Sequence, residues 1–163
     1  MIESKKAPKE IKTSCPDVRQ SLEEFEKFKE AGVLESLGIE ILECECTKVV
    51  GRMPVDERTR QPLGILHGGA SVCLAESLCS LGAWLNIDHQ TSSVVGLEIN
   101  ANHLGMLREG FVTATATPVH IGKRTQVWQT EITSDSGQAI CSSRMTLLTL
   151  SSDHSTALPP RDS

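Results

Sequence analysis

The sequence contains no C-x-x-C pair, no basic run longer than two residues and no apolar stretch close to the roughly 18 residues that suggest a membrane span. Each absence excludes a class. Without paired cysteines, zinc-ribbon and thioredoxin-like readings fail. Without a basic face, nothing neutralises the phosphates of a nucleic acid, and the net charge of -5 points the same way. The N-terminal run MIESKKAPKEIKTS lacks the apolar core of a signal peptide, so the chain is expected to stay in the cytoplasm. In that reducing compartment the six cysteines (Cys15, Cys44, Cys46, Cys73, Cys79 and Cys141) are expected to be free thiols. Cys44 and Cys46, two apart in a strand-like stretch, are expected to face one side as small core residues.

What is present reads as one ordinary globular domain: 163 residues, 39% hydrophobic and 23% charged. Residues 1–15 read as a flexible arm and 151–163 as a flexible tail, with the folded domain at 16–150. A helix is predicted from Pro16–Asp17, with Leu22, Phe25 and Phe28 on one face and Gly32 as its stop. Two short alternating segments, 38–45 and 46–54, predict two strands or one long bent strand. Residues 56–65 form a polar loop punctuated by Pro62 and Gly64. Then HGGASVCLAESLCSLGAWLNI runs about 21 residues with a single charge, Glu76. A helix apolar all round is expected to be a buried central helix. SSVVGLEINANHL, FVTATATPVHI, RTQVWQTEITSD and QAICSSRMTLLTL follow as four predicted antiparallel strands. The order predicts an α+β architecture in which the sheet wraps around one helix.

Glu76 is the residue that does not fit. A carboxylate among Cys73, Leu74, Ala75, Leu78 and Cys79 is costly to bury and is expected to titrate abnormally, which marks a candidate functional site. Alternatively it lies on a solvated stripe with Asn86 and the serines, or in a structural ion pair. A second candidate is the helix start, where His67, Gly68 and Gly69 present free N–H groups at the positive end of the dipole. Such a place can stabilise an oxyanion, or be a plain cap with a packed histidine. Gln61, just before, can donate to a carbonyl, although loop glutamines are usually solvated. His67 and Glu76 are nine positions apart, about 13 Å along a helix axis and on opposite faces. If both act on one carbonyl, they come from two chains, as in a twofold dimer. Ser80, one turn after Glu76, shares its face.

The run QPLGILHGGASVCLAESLCSLGAW, with MPVDERTRQP, VVGLEINANH and HIGKRTQVWQ around it, resembles the hotdog-fold thioesterase branch. That branch includes 4-hydroxybenzoyl-CoA thioesterases, 1,4-dihydroxy-2-naphthoyl-CoA thioesterases and the proofreading thioesterase of enterobactin synthesis. The resemblance spans about residues 37–150. It implies a hotdog fold: an antiparallel sheet wrapped around one long central helix. It implies that Glu76 is the catalytic carboxylate, nucleophile or general base, and that Gln61 and His67 surround the thioester carbonyl. The Gly68 backbone N–H would polarise that carbonyl, and Ser80 would assist the acid or a water. Gly122, Lys123 and Arg124 fall where the family meets the CoA nucleotide, which suits Lys or Arg pairing with phosphate; a solvated hairpin is the plain alternative. No metal and no cofactor beyond the substrate's own CoA is implied. The expected assembly is a homodimer with composite sites, pairing into a tetramer.

Three departures bear on acyl preference: a longer N-terminal arm and helix, Leu81 where some relatives carry methionine, and NANHLGMLREG without a second histidine. The expected reaction is hydrolysis of an acyl-CoA, aryl acyl groups favoured, to free acid and CoA. Medium or long fatty acyl groups are the alternative. The rivals are a hydratase of the same fold and a non-catalytic acyl-CoA binding module. The first 36 residues offer no basic recognition helix to couple the latter to DNA.

Overall fold

The computed structural model describes residues 32–151. The expected arm, the helix before Gly32 and all but the first residue of the expected tail lie outside them. The chain starts with a one-turn helix, α1 (Val33–Leu37), that the sequence reading did not include. Gly38, at φ 67°, ends it in the left-handed conformation glycine tolerates, and the Gly38 N–H donates back to the Glu35 carbonyl. Two separate strands follow, β1 (Glu40–Glu45) and β2 (Lys48–Pro54), rather than one bent strand. After the loop come α2 (Gly68–Trp84), β3 (Ser92–His103), β4 (Phe111–Ile121), β5 (Thr125–Ser134) and β6 (Ala139–Ser151).

All six strands join one antiparallel sheet in the order β1-β2-β4-β5-β6-β3, and α2 packs against β2 to β6. This is the expected hotdog arrangement. Alternation along β4 and β5 turns Val112, Ala114, Ala116, Trp128, Thr130 and Ile132 toward the helix. They enclose Leu74, Ala75, Leu78 and Cys79 of α2. Cys44 joins this core, whereas Cys46 sits in the β1–β2 turn and packs at its margin. No helix among the described residues is long and apolar enough to cross a membrane.

One expectation about α2 is corrected. The helix is not buried all round. Ala70, Ser71, Leu74, Ala75, Leu78, Cys79, Leu81, Gly82 and Ala83 are buried, whereas Gly69 and Glu76 are exposed and Val72, Cys73, Ser77, Ser80 and Trp84 are half-buried. A single sheet can cover only one side of a helix, so the second apolar side stays open within the chain.

The C-terminal end of α2 is held by side-chain amides. Asn86 Nδ2 donates to the Gly82 carbonyl at 2.8 Å and to the Cys46 carbonyl at 2.7 Å. Gln126, fully buried on β5, donates from Nε2 to the Ala83 carbonyl at 3.0 Å and accepts from Trp128 Nε1 at 3.1 Å. The bonds to Gly82 and Ala83 add side-chain donors to carbonyls of the last turn, where intrahelical donors run out. Trp128 lies so close to Gly82 that a Cβ there would meet the indole at 2.5 Å, so only glycine lets the helix approach this far. Gln126→Leu keeps the side-chain volume but strands the buried Trp128 Nε1–H, while the Ala83 carbonyl keeps the Asn86 N–H as donor. It is expected to cost about 1–3 kcal/mol, read as a lower midpoint in urea denaturation.

Candidate functional site

The loop before α2 is tied down, which fixes where Gln61 and His67 sit. The Arg58 guanidinium pairs with Asp56 at 2.6 Å and holds that carboxyl below the usual carboxylate range. Thr59 Oγ1 donates to the Pro54 carbonyl at 2.7 Å. The Gln61 N–H donates to the Ile65 carbonyl and the His67 N–H to the Thr59 carbonyl, both at 2.8 Å. His67 is then the N-cap of α2: the Gly69 N–H donates to His67 Nδ1 at 2.8 Å. The capping reading of His67 therefore holds, with an exposed rather than packed ring. An accepting Nδ1 places the proton of the neutral ring on Nε2, which leaves that atom as a donor.

Gly68 lines a cavity of about 410 Å³ together with Gln61, Ser71, His103 and Gln138. His103, at the end of β3, was not singled out from the sequence. Its ring lies over Gly68, where an added Cβ would come within 2.7 Å of Nε2. The helix N-terminus thus has a loop amide on one side and an imidazole on the other. This half of the site can accept a carbonyl oxygen but contains no carboxylate.

Glu76 is in a different place. It lies along an open groove of about 780 Å³ lined by Gly69, Val72, Cys73, Ser77, Ser80, Leu81 and Trp84 of α2, Val33 and Leu34 of α1, and Val94 of β3. The expectation of a desolvated Glu76 is not met within one chain, because the open face of α2 leaves the carboxylate in solvent. Ser80 shares the groove as its spacing predicted. Ser77, which the sequence reading passed over, also lines it and donates to the Cys73 carbonyl at 2.7 Å. Burial pushes the Cys73 thiol up, and the Glu76 charge adds to this. Cys79, buried behind the groove with its sulfur 3.1 Å from Thr130 Oγ1, is pushed up to about 11 for the same reasons. Both thiols therefore stay protonated near neutral pH, so neither is a ready nucleophile. Among the described residues, Glu76 is the only carboxylate lining the groove.

Gly122, Lys123 and Arg124 form the β4–β5 turn, closed by the Gly122 N–H donating to the Thr125 carbonyl at 3.0 Å. None of the three lines either cavity. They stand at the end of the sheet where β5 begins, near the C-terminus of α2, away from Gly68. One chain thus brings Gln61 together with Gly68, brings Glu76 together with Ser80, and leaves these pairs and the β4–β5 turn apart.

Comparison with known proteins places this arrangement. The profile of the thioesterase superfamily matches residues 63–141. A 1,4-dihydroxy-2-naphthoyl-CoA hydrolase of Listeria monocytogenes is 49% identical over 116 residues, covering 71% of this chain and 94% of that protein. The Escherichia coli protein of the same name is 55% identical over 94 residues, 58% of this chain and 68% of that one. The crystal structure of a Pseudomonas aeruginosa thioesterase mutant, with a glutamine changed to alanine, superposes with a TM-score of 0.76 at 42% identity. It covers 80% of this chain and 94% of that one. The chain belongs to the thioesterase superfamily and is a thioester hydrolase of the hotdog fold.

The cap assigns His67 a structural task that can be separated from any chemical one. Asparagine is among the strongest N-caps, whereas alanine supplies no acceptor. His67→Asn is expected to keep the melting temperature of the wild type, and His67→Ala to lose about 0.5–2 kcal/mol in urea denaturation. If both variants lose activity alike, the imidazole has a role beyond the cap.

Proposed function

We propose that the protein hydrolyses acyl-CoA thioesters, aryl acyl groups such as hydroxybenzoyl or hydroxynaphthoyl favoured, in sites that two chains complete. The observation that carries this reading is the separation of the two half-sites. The carbonyl-binding end of α2 and the carboxylate groove are complementary in chemistry, and each lacks what the other holds. A twofold axis that lays two α2 helices antiparallel brings Gly68 of each chain toward Glu76 of its partner. The same pairing covers the apolar groove and the edge strand β3, whose Val95 and Leu97 are exposed. Pairing of such dimers gives the tetramer implied by the family resemblance.

In this site the thioester carbonyl accepts from the Gly68 N–H, with Gln61 and His67 Nε2 as neighbouring donors. As general base, Glu76 takes a proton from water, and the resulting hydroxide attacks the carbonyl carbon. The tetrahedral oxyanion is held at the helix N-terminus. The C–S bond then breaks and the proton goes to the CoA sulfur. As nucleophile, Glu76 attacks the carbonyl carbon, the C–S bond breaks and CoA leaves as a thiolate that takes up a proton; water then opens the mixed anhydride to the free acid and restores the carboxylate. Ser80 holds the carboxylate or the water. Lys123 and Arg124, beside Gly122, pair with the nucleotide phosphates. No metal and no bound cofactor is required. A longer aliphatic acyl group is the second reading, favoured by an apolar groove that follows α2 from Gly69 to Trp84, about 22 Å at 1.5 Å per residue.

Three measurements test this. Glu76→Gln is expected to lower kcat for thiol release from benzoyl-CoA by about 10²- to 10⁴-fold; activity within a few-fold of wild type would remove Glu76 from the mechanism. A panel of aryl and aliphatic acyl-CoA esters then ranks the two acyl readings. For the composite site, Glu76→Gln chains are co-expressed with chains carrying Gln61→Ala and His67→Ala. One intact site per mixed dimer is expected, with about half the wild-type activity per dimer from two inactive parents. Mixed dimers as inactive as their parents would place each site within one chain.

A further inference from the structure

Strand β3 faces α2 with alternate residues, and that alternation changes parity part-way along. Val94 and Gly96 turn toward the helix in the first half, whereas Ile99 and Ala101 pack on the core in the second. The switch is a β-bulge: Gly96 pairs with Leu147 and Glu98 with Thr146, so Leu97 has no partner on β6. Were β3 regular through Leu97, Glu98 would take the inward position, because a one-residue slip exchanges the two faces. Instead Glu98 is exposed and accepts from Asn100 Nδ2 at 3.0 Å. The odd-numbered residues down to His103 then face the helix, which brings the His103 ring over Gly68.

Gly96 holds the inward position opposite Glu76. A Cβ at this position would lie 3.6 Å from Glu76 Oε1, in ordinary contact, and 2.7 Å from Met145 Cε, the movable end of a side chain. Anything larger than a methyl group reaches into the space of the carboxylate. We propose that Gly96 is a positioning residue for Glu76: the bare position at the β3 bulge keeps one side of the carboxylate open and gives it room to reach the thioester carbonyl. This rests on the role given to Glu76 above.

Among the described residues, the titratable groups near Glu76 are Cys73 and Cys79 of its own helix, which both feel its charge. The described elements packed around it present Val94 and Gly96 from β3, Met145 from β6, and Val33 and Leu34 from α1, none of them titratable. A methyl group at position 96 therefore acts on Glu76 chiefly by removing water, which disfavours the charged form.

Gly96→Ala, Gly96→Val and Glu76→Gln are compared with wild type in thiol release from benzoyl-CoA across pH, alongside melting curves. In Gly96→Ala the acid limb of kcat is expected to move to higher pH, since a less hydrated carboxylate keeps its proton longer. In Gly96→Val kcat is expected to fall about a hundredfold with KM within a few-fold, the usual scale for a displaced catalytic group. Wild-type kcat and a wild-type acid limb in both variants overturn the proposal. So does a loss of kcat that follows a lowered melting temperature while the acid limb stays in place, since that effect is structural. Should Gly96→Val fail to fold, the acid limb of Gly96→Ala decides. An active Glu76→Gln enzyme instead overturns the reading beneath this one. An inactive Glu76→Gln beside wild-type behaviour at position 96 overturns the Gly96 assignment alone.

Discussion

A helix with apolar residues on both sides, packed on a single sheet, has one side too many. α2 meets the sheet through Leu74, Ala75, Leu78 and Cys79, and the opposite side, from Gly69 to Trp84, stays open along the groove. The ends of the helix are fixed independently: His67 caps the first turn, while Asn86 and Gln126 take up carbonyls of the last. The close contact between Gly82 and Trp128 sets how deep the C-terminal end sinks into the sheet. With its axis and depth fixed at both ends, α2 has little freedom to rotate, and the stripe carrying Glu76 stays outward.

The chemistry follows from that orientation. Gly68 at the start of α2 and Glu76 belong to one rigid element, but they line different cavities. Bringing them together within a chain would require unwinding the helix. Apposing two copies requires only surfaces that the chain already exposes. The β3 edge serves both halves: Gly96, before the bulge, lies toward Glu76, and the bulge turns His103 toward Gly68.

Much of the fold was legible in the residues. The β4, β5 and β6 segments alternate clearly and are divided by Gly122 and by the Asp135–Gly137 turn, so their bounds differ from the expected ones by a residue or so. α1 was not legible, because one turn of VLESL carries no periodicity and is closed only by Gly38. Of the candidate site, Gln61, His67, Gly68, Glu76 and Ser80 were picked out by motif and spacing. His103 was not, because the bulge at Gly96–Glu98 breaks the parity on which a reading of β3 depends.

The sequence by itself determined the element order, the helix that carries Glu76, and the fact that His67 and Glu76 cannot meet on one helix. Those are matters of local pattern and of helical geometry, which the chain carries along its length. Tertiary structure alone decided which side of α2 is buried, and hence that Glu76 is exposed to solvent within a single chain. Burial depends on what packs against a residue, and an apolar helix with two equivalent sides does not state in its own sequence which one the sheet will cover.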